Sequence, residues 1–139
     1  MKIGKNLLAI LAGGITYFLL GWLVYGIILM DFMQNGTNQS LNRPEEEFIW
    51  WAMLLSCFAF SSIITLVYHW SKKTSWLDGA KIGVVMGVLI TILLDFSFYS
   101  MTTIYLSITP IFIEIVASGI NAAIVGIVVG LILCETKKK

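Results

Sequence analysis

The chain has 139 residues, of which 58% are hydrophobic and only 12% charged, with a net charge of +1 and a mean hydropathy of +0.90. A soluble domain carries about 25% charged residues, so half that fraction around long uncharged runs places the chain in the membrane class. No basic tract with interleaved aromatic residues occurs, which argues against a nucleic-acid partner. The two cysteines, Cys57 and Cys134, form no CxxC pair from which a metal site starts.

The first predicted span covers residues 6–31. Lys2 and Lys5 precede it, and Asn6 to Met30 carries no charge. A signal h-region is about 7–15 residues, so this longer run reads as a retained transmembrane helix. Gly14, Tyr17, Gly21 and Tyr25 share one of its faces, a small and aromatic face suited to helix packing. Asp31 stands at its far end.

Residues 34–47 follow as the one extramembrane segment of any size. Asn35-Gly36 and Arg43-Pro44 are loop chemistry. Glu45, Glu46 and Glu47 after Pro44 suit the first turn of the next helix, where the dipole favours negative charge.

The second span covers residues 48–70. Trp50 and Trp51 mark one interface, and Tyr68 and Trp70 the other. Cys57, Ser61, Thr65 and His69 form a small, weakly polar ridge that is expected to face another helix. A basic turn with Lys72 and Lys73 leads to the third span, residues 79–101. Gly79, Gly83 and Gly87 stand one helical turn apart on it, and Thr91 and Asp95 continue the same ridge. Bare backbone on one edge lets two helices approach closely in lipid, where no hydrophobic drive joins them. The fourth span covers residues 110–134, with Thr109 as the expected N-cap and Pro110 at the first helical position. Gly119, Gly126 and Gly130 form its small face, and Glu114, Ser118 and Asn121 its polar face.

The expected fold is therefore all-α, one four-helix transmembrane bundle. Lys2, Lys5, Lys72, Lys73, Lys81 and the three terminal lysines flank one side, and only Arg43 the other. By the positive-inside rule both termini are cytoplasmic.

Chemistry is sparse. An ionisable group inside a membrane helix is expensive and marks a functional site by default. Asp95 lies 14 residues past Lys81, roughly 21 Å along the helix axis. With Glu114 and Asp31 near the same depth and Asn121 seven residues below Glu114, it defines a candidate outer vestibule for a proton, a cation or a polar ligand. The opposing reading makes Asp31 and Glu114 wet interfacial residues and Asp95 a protonated acid donating to a neighbouring helix. No catalytic residue, metal or cofactor is expected: Ser61 and Ser62 share one helix with His69 and no acid completes a triad, and no P-loop, HExxH or GxGxxG is present.

Gly13 to Gly26, the run Asp78-Gly79-x3-Gly83-x3-Gly87 followed by Asp95-Phe96, and the Gly126-x3-Gly130 ending resemble those of small four-helix bacterial membrane proteins of the DUF1761 family. The resemblance implies a four-span inner-membrane fold and nothing about catalysis. Three function classes follow in order: a non-enzymatic assembly or accessory subunit, working as a homodimer or with another membrane protein; a proton- or cation-coupled small transporter or channel; and an enzyme acting on a lipid or quinone.

Overall fold

The computed structural model describes residues 3–134; Lys2 and the C-terminal lysines lie outside the described residues. Helix α1 (Ile3–Leu23) runs into a π-helical turn at Val24–Ile28, then a short helix α2 (Met30–Gly36). Two 3-10 turns at Gln39–Leu41 and Glu45–Glu47 lead to α3 (Trp50–Trp70), α4 (Trp76–Met101) and α5 (Thr109–Leu133). Among the described residues there is no named strand, and four helices are long and apolar enough to cross a membrane. Many large apolar side chains point outward, Leu7, Leu19, Leu89, Leu93, Val116 and Leu131 among them. A soluble monomer does not tolerate so much contiguous exposed apolar surface, whereas lipid covers it without cost. This is the surface of a multi-pass membrane protein.

Several boundaries depart from the sequence expectation. The first span does not run straight to residue 31. The Leu29 amide bonds back to the Val24 carbonyl at 2.7 Å, a five-residue step that turns the following backbone. α2 then starts a new helix through residues expected as loop. Glu45–Glu47 form their own 3-10 turn, so these acids do not sit in the first turn of α3. Thr109 is the first residue of α5 rather than its cap: Ile108 occupies the cap position and supplies no side-chain hydrogen bond.

α4 and α5 form the tightest pair. A Cβ on Gly79 would strike the Gly126 carbonyl oxygen, one on Gly83 the Ala122 carbonyl, and one on Gly126 the Gly79 carbonyl. The obstacle is backbone each time, which no rotamer change relieves. The seam continues upward through polar contacts: Thr91 Oγ1 donates to Ser118 Oγ at 2.6 Å, and Ser118 Oγ donates to the Gly87 carbonyl at 3.3 Å.

α1 lies against α3 and α5. Gly13 admits Ser61 and Val129, and Gly14 admits the Phe58 ring. Ser61 Oγ donates to the Ala9 carbonyl at 3.4 Å, and His69 Nε2 meets Asn6 Oδ1 at 2.5 Å. The ridge Cys57–Ser61–Thr65–His69 thus turns toward α1. Behind it, Ala9, Phe60, Ile64, Tyr68, Val125 and Val129 make the core. Because Asn6 pairs with His69 and Gly130 meets Trp76, both ends of the described chain lie at one end of the bundle, together with the 71–75 turn. The opposite end carries α2, residues 37–49 and residues 102–108.

Candidate functional site

The opposite end opens between the last part of α1, α2, the start of α3 and the start of α5. Gly21 explains part of the opening. A Cβ there would meet nothing within 4 Å, so no helix of this chain packs closely on Gly21. It shares the face of Gly14 in the sequence, but only Gly14 lies at a depth where α3 is close. Above it the helices diverge around a cavity of about 590 Å³, inside the 300–1,000 Å³ range of small-molecule sites.

The walls are aromatic. Phe18 and Trp50 meet edge to face with ring centroids 6.4 Å apart, and Trp50 meets Phe48 at 5.7 Å. Tyr17 stacks on Phe60 at 4.4 Å and still reaches the cavity. Trp22 and Tyr25 complete the wall from α1 and its π-helical turn. That turn has a local reason to matter: it re-aims Tyr25 and the following residues relative to a regular helix, as π turns at functional sites do.

The polar floor comes from α5 and a loop, with an acid of α4 behind it. Glu114, one turn into α5, is half-buried and accepts a 2.9 Å hydrogen bond from the Tyr105 hydroxyl. Asn121, two turns below, is 2% exposed and also lines the cavity. Its side chain makes no hydrogen bond to another described residue, so its amide is free for a ligand or water. Asp95 on α4 is 6% exposed, and its Oδ2 has no partner among the described residues. Asp95 does not line the cavity; it lies behind Tyr105.

Tyr105 therefore stands between two acids. Burial pushes its phenol well above the usual tyrosine range. The Glu114 charge and the hydrogen bond to Glu114 raise it further, and Asp95 adds to both effects. One O–H carries one proton, so Tyr105 donates to one carboxylate at a time, Glu114 in this structure. Its position is fixed by backbone. Thr37 and Tyr105 form an isolated antiparallel bridge, the Asn38 amide donates to the Ile104 carbonyl at 2.7 Å, and the Leu106 amide donates to the Gly36 carbonyl at 3.0 Å. Gly36 allows this approach, because a Cβ there would collide with the Pro110 ring at the start of α5.

Of the four residues expected at a vestibule, Glu114 and Asn121 share the cavity and Asp95 adjoins it through Tyr105. Asp31 does not join them. It lies on the exposed side of α2, because the break at Leu29 carries it off the α1 axis. The residue that sequence reasoning missed is Tyr105. It sits in a short connection with no periodicity, and only its pairing with Thr37 brings it to the acids. Among the described residues no three His, Cys, Asp or Glu side chains gather to hold a metal ion. Cys57 and Cys134 are both free thiols.

Comparison with known proteins found no family model, no curated protein and no solved structure that matches the chain.

Proposed function

We propose that this protein is a small proton- or cation-coupled carrier of the bacterial inner membrane, loaded through the cavity from the non-cytoplasmic side. One observation carries this reading. Tyr105 and Glu114 line a ligand-sized cavity, Tyr105 donates its phenolic hydrogen to Glu114, and Asp95 stands behind Tyr105 with an unpartnered Oδ2. Tyr105 passes its hydrogen to one carboxylate as it accepts one from the other carboxyl group, so a proton moves between α5 and α4 without crossing lipid. Intramembrane acids in such chains are typical of proton relays.

Orientation follows from charge. Lys5, Lys72, Lys73 and Lys81 flank the sealed end, and Arg43 with Glu45 to Glu47 flanks the cavity end. The positive-inside rule supports a cytoplasmic sealed end. Toward the sealed end Ile64, Val125 and Val129 are fully buried in the core, which favours a carrier with two states over an open pore.

The assembly reading, placed first from sequence, keeps one supporting observation. A shallow apolar groove runs between α4 and α5 on the outer face, lined by Val84, Val88, Gly119, Ile120 and Ala123. Its small residues suit a helix of a second copy or of another membrane protein.

The deciding experiment is ion flux in proteoliposomes under a pH or Na⁺ gradient. Wild type is expected to dissipate the gradient, Glu114→Gln to abolish the flux and Asp95→Asn to reduce it. No flux in intact wild type would overturn the carrier reading in favour of assembly, and loss of a dimer in Gly119→Leu would then identify the contact.

A further inference from the structure

The cavity is chemically lopsided. Of its 22 lining residues seven are aromatic, two are acids and none is Lys, Arg or His. The acids are Glu114 at the floor and Glu45 at the rim. Met30, Met33 and Met53 add flexible, polarisable wall that adapts to irregular apolar shapes, and Gln34, Thr37, Gln39, Asn42 and Ser56 bring neutral polar groups. Aromatic faces carry negative charge density and attract cations at close range, tryptophan most strongly. Methionine and aromatic walls repel nothing apolar. A bare inorganic ion would leave most of this surface unused, and an anion would meet two carboxylates and no positive partner. A neutral apolar guest would bury Glu114 without a counter-charge, which is costly in an apolar site.

We propose that the cavity binds hydrophobic organic cations, with the charge held by Glu114 and the apolar groups packed against Tyr17, Phe18, Trp22, Tyr25 and Trp50. This rests on the carrier reading above and names its cargo class. Tyr105 is the positioning residue: its hydrogen bond holds Glu114 toward the cavity floor. Asn121 supplies a polar contact below.

The probe pair is tetraphenylphosphonium and tetraphenylborate, which share shape and differ in the sign of their charge. Binding is measured on the full chain in nanodiscs by quenching of tryptophan fluorescence, with empty nanodiscs subtracted for partitioning. Wild type is expected to bind the phosphonium saturably and the borate not at all. Glu114→Gln is expected to weaken the phosphonium by about thirtyfold, and Trp22→Ala, at an exposed position, by several-fold. Glu114→Asp, which keeps the charge, should hold more affinity than Glu114→Gln and decides the matter if the glutamine variant fails to fold. Equal binding of the borate, or phosphonium binding unchanged in Glu114→Gln, overturns the proposal. Proton flux that depends on Glu114 in a protein that binds no phosphonium overturns the organic cargo and leaves the carrier standing. Saturable phosphonium binding without flux in wild type upholds the site and removes the carriage.

Discussion

Helix α5 is held in opposite ways along its length. Over its second half, Gly126 and Gly130 press backbone against backbone on α4, and Val125 and Val129 fill the core. Over its first half, Glu114 and Asn121 look into a cavity walled by aromatic rings. The contrast teaches how so short a chain combines rigidity with a site. In lipid, helices associate through van der Waals contact and hydrogen bonds rather than by escaping water. The glycine seam secures those contacts at one end, and the other end is then free to diverge.

The largest test of this contrast is a pair of leucines. Gly83→Leu forces a side chain into the Ala122 carbonyl and should cost about 3 kcal/mol, seen as a large drop in melting temperature in mild detergent. Gly21→Leu enters open space and should change stability by less than about 0.5 kcal/mol, while blocking phosphonium binding. Equal losses from the two variants would abolish the distinction between a sealed and an open end.

Tyr105→Phe is expected to fall between them. It removes the hydrogen donated to Glu114 and should cost about 1–3 kcal/mol together with most of the proton flux. Flux at the wild-type rate in this variant would take Tyr105 out of the relay. Asp95→Asn should be milder for stability, within about 1 kcal/mol, because Oδ2 has no partner among the described residues to lose. A large loss of melting temperature there would make Asp95 a structural acid. The smallest perturbation is topological. In a variant lacking the native cysteines, a membrane-impermeant thiol reagent added outside should label a cysteine at Asn38 and spare one at Lys73. The reverse pattern would turn the cavity toward the cytoplasm.

Much of the architecture is written in local pattern. Four long apolar runs mark four helices that can span a bilayer, because every backbone polar group in lipid must be satisfied within its own helix. Gly79, Gly83, Gly87 and Asp95 share one ridge by spacing alone, and all four are buried in the structure. Spacing did not distinguish Gly14 from Gly21, since both lie on one face and differ only in how far away the next helix is at their depth. Nor did it anticipate the break at Leu29 that moves Asp31 outward, or the bridge between Thr37 and Tyr105. Periodicity records which way a residue faces on its own helix, so the sequence by itself determined the spans and their ridges. The distances between ridges, and with them the cavity and the tyrosine between two acids, depend on contacts between segments far apart in the chain, and only the tertiary structure decided those.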